Sequence, residues 1–254
     1  MPSRKNKINY IGIVICIFLL FYILFYSFEK YEHVNDCITV RNLETDGFVI
    51  LHDDIYNDTV DMPCPKLKQD ILSMLPGGYV FMDYIYKIHN VALSTFHRDV
   101  TSSQHIYNTK HKIYTCILYK YKGDLLSVCP GSNNTYPFVW SKIVNIEGNA
   151  GTVFLFDSNL LHAGQDNLCK ERNVIQYKVC HVDDLDLLSH LHAVKVTKSE
   201  KCELNIYNTL LRKLSYFFEF PINHLFYRFI IKKEDPSTLI GKIQSAVPIK
   251  YYNN

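Results

Sequence analysis

The chain has no excess of charge of one sign: 27 Lys and Arg stand against 25 Asp and Glu, a formal net charge of +2. The cations are scattered among the acids, so no basic face for nucleic acid forms and that class of partner is set aside. Eight cysteines are present without a C-x-x-C pair. Cys16 lies in an apolar run, and Cys37, Cys64, Cys116, Cys129, Cys169, Cys180 and Cys202 make an odd set, which offers neither a zinc site nor a clear disulfide framework. Internal repeats and low-complexity segments are also missing.

What is present is enough for one well-buried domain with appendages: 254 residues, 48% hydrophobic and 20% charged. Tyr10 to Phe28 is uncharged and apolar, and at about 1.5 Å rise per residue it matches a ~30 Å hydrocarbon core. It ends in Tyr26-Ser27-Phe28-Glu29-Lys30, without the small residues of a signal-peptide cleavage site, so an uncleaved transmembrane anchor is expected. Arg4, Lys5 and Lys7 precede the run, whereas Glu29, Lys30, Glu32 and Asp36 follow it. That bias predicts a single-pass membrane protein with a cytoplasmic N-terminus and a lumenal or extracellular body. The sequons Asn57-Asp58-Thr59 and Asn133-Asn134-Thr135 suit such a body.

After the anchor, Phe48 to Leu51 follows a turn glycine and reads as a strand, and Pro65 to Leu75 has apolar residues at helical spacing before Pro76-Gly77-Gly78. From Tyr79 to Val179 the pattern is of short β-rich runs. They are Tyr79 to Ile88, Val91 to Phe96, Ile113 to Tyr121, Leu125 to Cys129, Phe138 to Ile146, Gly151 to Phe156 and Val174 to Val179. Strands at such spacing predict a sandwich or barrel. Beyond Asp183 helices are expected at Leu185 to His192, Leu204 to Phe218 and Ile222 to Ile231, as a layer packed on the barrel. The predicted organisation is an anchor over 1–28, a β domain with an N-terminal packing helix over 29–183, and a helical extension over 184–254.

Three H-x-D triplets occur: His52-Asp53-Asp54, His97-Arg98-Asp99 and His181-Val182-Asp183. In a strand, residues i and i+2 point to one side, so a His and an Asp at that spacing reach one metal ion. Only His97 and Asp99 have, further along, a histidine just after a strand: His162, beyond Gly151 to Phe156. His52 and Asp54 read as turn residues, and nothing downstream of His181 and Asp183 resembles the second histidine. Two imidazoles and a carboxylate hold iron(II) on one face and leave positions for a bidentate 2-oxo acid and dioxygen. Arg172, ten residues beyond His162, offers a planar fork for a far carboxylate. The two histidines and the carboxylate also suit manganese or zinc, and only the arginine favours a 2-oxo acid.

LETDGFVIL (Leu43 to Leu51), STFHRDV (Ser94 to Val100), LSVCPGSN (Leu126 to Asn133) and GTVFLFDSNLLHAGQDNLCKER (Gly151 to Arg172) resemble, in order, the motifs of the phytanoyl-CoA dioxygenase-like family. The resemblance covers roughly residues 43 to 180. It implies an iron(II)/2-oxoglutarate dioxygenase whose fold is mostly β with flanking helices, a double-stranded β-helix or jelly roll. His97, Asp99 and His162 match the family's iron ligands, and Arg172 its 2-oxoglutarate anchor. The implied reaction converts 2-oxoglutarate and dioxygen to succinate and carbon dioxide and hydroxylates an unactivated carbon. Asp99 favours hydroxylation, because related halogenases have a small residue at the carboxylate position. Asn133 stands where members often have histidine, and Gly164 where a small hydroxyl residue is usual, which removes a hydrogen bond to the cosubstrate.

The expected substrate is a small molecule, a lipid or a protein side chain, with the membrane met through Tyr10 to Phe28. The alternative is a catalytically degenerate jelly roll that serves as a membrane-tethered binding or structural module.

Overall fold

Alternation along the strands builds two facing sheets, and one of them is covered on both sides. The computed structural model describes residues 4–25, 30–33, 41–90, 95–138, 141–165, 172–199, 206–219 and 235–246. The larger sheet runs β11 (Val194–Ser199), β4 (Tyr84–His89), β10 (Asn173–His181), β5 (Tyr114–Tyr119), β8 (Thr152–Asp157) and β2 (Phe48–His52), with β3 (Tyr79–Phe81) also pairing with β10. The smaller runs β1 (Lys30–His33), β7 (Val144–Gly148), β6 (Gly123–Val128) and β9 (His162–Gly164). The result is mostly β with helices, in a jelly-roll-like arrangement.

Every residue of β5 and β8 is buried because both faces of the larger sheet are used. On the inner face Ile117, Phe154, Phe156 and Val174 meet Leu126, Val128 and Ile146 of the smaller sheet. On the outer face Cys116, Leu118, Leu155 and Tyr177 pack under Leu67 and Ile71 of α2 (Pro65–Ser73), the helix expected before the sheet. The two cores together fix which side chains of β10 face inward: Val174, and with it Gln176 and Lys178 two and four residues on.

Several boundaries differ from the sequence reading. Tyr79 to Ile88 is two strands, parted at Met82-Asp83, where the β10 pairing passes from β3 to β4. Leu185 to His192 forms 3-10 turns. Three strands were not expected: β9 and the two parallel edge strands β1 and β11. The expected strand Val91 to Phe96 falls mostly outside the described residues, as does the helix Ile222 to Ile231. After the one-turn α3 (Gln104–Tyr107), the expected helix Leu204 to Phe218 is observed as α4 (Ile206–Phe217), and α5 (Leu239–Ala246) lies near the C-terminus.

The apolar N-terminal run is largely helical, in α1 (Arg4–Phe25). Its described side chains, those of residues 10–20, are exposed, and at about 1.5 Å each they account for about half of a ~30 Å core. Among the described residues no helix is long and apolar enough to cross a membrane. Residues 26–28 of the run lie outside the described residues.

Candidate metal centre

The two histidines chosen from the sequence face each other across a two-residue bridge. His97 N–H donates to the His162 carbonyl (2.9 Å) and His162 N–H to the His97 carbonyl (3.1 Å), which places their ring centroids 4.5 Å apart. His162 therefore opens β9 instead of sitting in a loop after β8. Asp99 is outside regular strand structure, but its N–H donates to the Ser158 carbonyl (2.9 Å), which ties it to the same edge.

Side-chain geometry aims all three groups at one point. Asp99 Oδ1 lies 3.8 Å from His97 Nε2 and 3.7 Å from His162 Nε2, and the three candidate ligand atoms fall within 4.8 Å of one another. Each imidazole is oriented from behind, with Nδ1 2.8 Å from the Thr95 carbonyl in His97 and 2.9 Å from the Leu160 carbonyl in His162. A carbonyl only accepts, so Nδ1 carries the proton in both rings and the Nε2 lone pairs face the carboxylate. Burial, with His97 adding to it, pushes His162 down to about 4, so its neutral form prevails at ordinary pH.

The second carboxylate oxygen is already taken. Asp99 Oδ2 accepts from Lys178 Nζ (2.7 Å) and from the Thr115 hydroxyl, and Lys178 also donates to Ser102 Oγ (2.8 Å) and contacts Thr115 Oγ1 (2.7 Å). Burial alone would raise the Asp99 pKa; Lys178 and the two imidazoles outweigh it and hold the carboxyl well below its usual range. Burial conversely lowers Lys178, and the Asp99 charge opposes that shift. Sequence reasoning missed Lys178. The signal was there: a lysine at i+2 from Gln176 inside the apolar strand Val174 to Val179 has to find an anion or leave the core.

His97, Asp99, His162, Tyr119 and Arg172 line one cavity of about 120 Å³. Arg172 is 4% exposed, so it belongs to the interior and is not a solvated loop charge. Tyr119, whose pKa is raised by burial, lines the same cavity beside it. The departure at Gly164 has a steric reason. A Cβ there would sit 2.1 Å from Arg172 Nη2 and 2.9 Å from its Cζ, so the missing side chain is the space the guanidinium occupies. Asn133 serves loop packing: it is buried, donates to Asp157 Oδ2 (3.3 Å), and lies where only a glycine fits at residue 47.

The other H-x-D triplets do not join this centre. His52 Nε2 lies 3.9 Å from the fully solvated Asp54 at a turn. His181 and Asp183 meet His111, but the two rings stack with centroids 3.8 Å apart, and both Nδ1 atoms are engaged, by Asp184 Oδ2 and by Asp183 N–H. Stacked rings send their in-plane lone pairs side by side, not to a shared point.

The donor set fits iron(II): two neutral imidazoles and one ionised carboxylate oxygen in a lined cavity, with a buried arginine for a second anionic group. It fits manganese or zinc by the same atoms.

No protein-family model and no curated protein matches the chain. Among solved structures, EvdMO1 is similar at 14% identity with a TM-score of 0.41, over 55% of this chain and 48% of that one, so the chain spans about half its length. HygX from Streptomyces hygroscopicus, solved with nickel and 2-oxoglutarate bound, is similar at 10% identity and a TM-score of 0.40, over 55% of this chain and 84% of that one. The non-heme alpha ketoglutarate dependent carbocyclase SnoK from nogalamycin biosynthesis is similar at 13% identity and a TM-score of 0.39, over 61% and 90%. Likeness at this level carries no assignment of reaction, and the resemblance to the phytanoyl-CoA dioxygenase-like family stays with the motifs that showed it.

Proposed function

We propose that the chain is an iron(II)/2-oxoglutarate-dependent dioxygenase that hydroxylates a small-molecule, lipid or protein substrate. The observation that carries this reading is the convergence of two Nε2 atoms and Asp99 Oδ1 in a cavity that also holds the Arg172 guanidinium. In this reading His97, His162 and Asp99 hold the metal, and Arg172, with Tyr119 beside it, takes the far carboxylate of the cosubstrate. Iron with 2-oxoglutarate and dioxygen supplies an oxidant strong enough for an unactivated carbon.

The remaining work falls to the protein's own groups. Thr95 and Leu160 carbonyls keep the imidazole protons on Nδ1. Lys178 and Thr115 hold Asp99 ionised and reserve its Oδ2, which leaves one oxygen for the metal. Gly164 keeps Arg172 in place. We further propose that the apolar run Tyr10 to Phe28 tethers this domain to a membrane, with residues 1–28 as anchor, 29–183 as catalytic domain and 184–254 as extension.

The test is iron-dependent formation of succinate from 2-oxoglutarate by the purified chain. Wild type should turn over, whereas His97→Ala and Arg172→Met should each lose turnover by about 100-fold or more. Equal turnover in all three would refute the assignment.

A further inference from the structure

The α4 helix buries the wrong face for an ordinary packing helix. Arg212, Ser215 and Glu219 follow the i, i+3, i+7 spacing of one helical face, the last of them two residues past Phe217, and all are buried. Phe217 and Phe218, by contrast, are exposed. A helix recruited for its apolar stripe does the opposite.

Each buried polar group of that face ends at a segment that carries a candidate ligand. Ser215 Oγ accepts the Phe96 N–H (2.7 Å), one residue before His97, and donates to the Arg212 carbonyl (2.6 Å). Glu219 pairs with Arg98, the residue between His97 and Asp99; Arg98 also donates to the carbonyls of Ser132 (2.8 Å) and Asn159. Arg212 Nη1 donates to the Gly164 carbonyl (2.7 Å), two residues past His162, and its guanidinium lies 4.6 Å from the centre of the Phe96 ring. Residues 97 and 99 point into the cavity, so 96 and 98 present their polar groups behind it, where α4 lies.

We propose that α4 is a positioning element of the metal centre, with Ser215 and Arg212 fixing the backbones of both histidine segments from behind and Glu219 fixing the Arg98 side chain between His97 and Asp99. This rests on the reading of His97, Asp99 and His162 as metal ligands. Buried charges held this way cost desolvation and return little net stability. Their return is geometric: a bridge of two residues between His97 and His162 is too short to hold its own angle. The predicted helical extension is then part of the catalytic unit, which reaches at least to Glu219.

Anaerobic titration of the metal-free full-length chain with cobalt(II), followed by its visible absorption bands, tests this without turnover. Glu219→Gln and Ser215→Ala should each weaken cobalt affinity by about ten-fold or more and alter the bands, as loss of a supporting contact does. Leu67→Ala, on the buried face of α2 and away from the centre, provides a variant of lowered stability that should leave both readings as in wild type. Ser215→Ala removes one acceptor without unpairing a charge, so it keeps the test open if Glu219→Gln does not fold. Wild-type affinity and bands in the folded α4 variants overturn the role of α4 alone. A wild-type chain that binds no cobalt, or whose bands survive His162→Ala, overturns the metal reading and this inference with it.

Discussion

At the scale of single residues, the charge balance around Asp99 decides the most. Lys178→Met leaves a buried carboxylate with one hydroxyl donor, and removing one partner of a buried pair costs about 3–5 kcal/mol. Urea unfolding of the metal-free variant should show that loss. A divalent cation replaces the missing charge, so added metal should stabilise Lys178→Met by more than it stabilises wild type. Gly164→Ser acts on the other end of the cavity. Its Cβ would meet the Arg172 guanidinium at 2.1 Å, so the KM for 2-oxoglutarate should rise about ten-fold or more while cobalt binding persists. His162 predicts a pH effect whose sign follows from burial. Its native pKa of about 4 lies below the ordinary value of 6.5, so between those limits the unfolded chain takes up a proton that the native state refuses. Stability is complete above the ordinary value and is lost as pH falls. From pH 6.5 to 5 the metal-free chain should lose about 2 kcal/mol through this group, and His162→Asn should flatten that part of the thermal-stability profile.

At the scale of elements, legibility in the sequence followed burial. The runs at Phe48, Ile113, Gly151 and Val174 are strands because each is buried on both faces, and the continuous apolar pattern reported that. Phe154→Ala in β8 should accordingly cost about 3–5 kcal/mol in urea unfolding, since that side chain is fully enclosed between the sheets. The short β9 was invisible because a strand of three residues is defined by its partners at His97 and Leu126 to Val128, not by its own pattern. For β11 the alternation of half-buried and exposed residues was present in Val194 to Ser199, but it fell between the expected helices Leu185 to His192 and Leu204 to Phe218 and was given no element. The candidate triad was legible because His97-x-Asp99 is local and His162 follows closely after a strongly patterned strand. Lys178 and the α4 contacts were not, because each depends on a partner 48 or more residues away in the chain.

At the scale of the whole molecule, the proposal of a lumenal or extracellular body makes a prediction that separates the two sequons. Beyond Cys16 in α1, the described cysteines Cys64, Cys116, Cys129 and Cys180 are free, so no disulfide among them argues for an oxidising compartment, and glycosylation becomes the better test. Asn133 is 6% exposed and turned toward Asp157, so no glycan fits on the folded domain there. Asn57, on the 3-10 turn at Asp54–Asp58 beside the exposed Ile55, is half-buried and so more open than Asn133. A body that enters the secretory pathway should therefore carry one N-linked glycan. Expressed in a eukaryotic cell, the full chain should resist carbonate extraction from membranes and show a single mobility shift on glycosidase treatment. Asn57→Gln should abolish that shift, and Thr135→Ala, which disables the other sequon without touching buried Asn133, should leave it unchanged. A membrane-bound chain with no shift would place the body on the cytoplasmic side and reverse the proposed topology, because the charge bias around the anchor and the glycan report the same orientation independently.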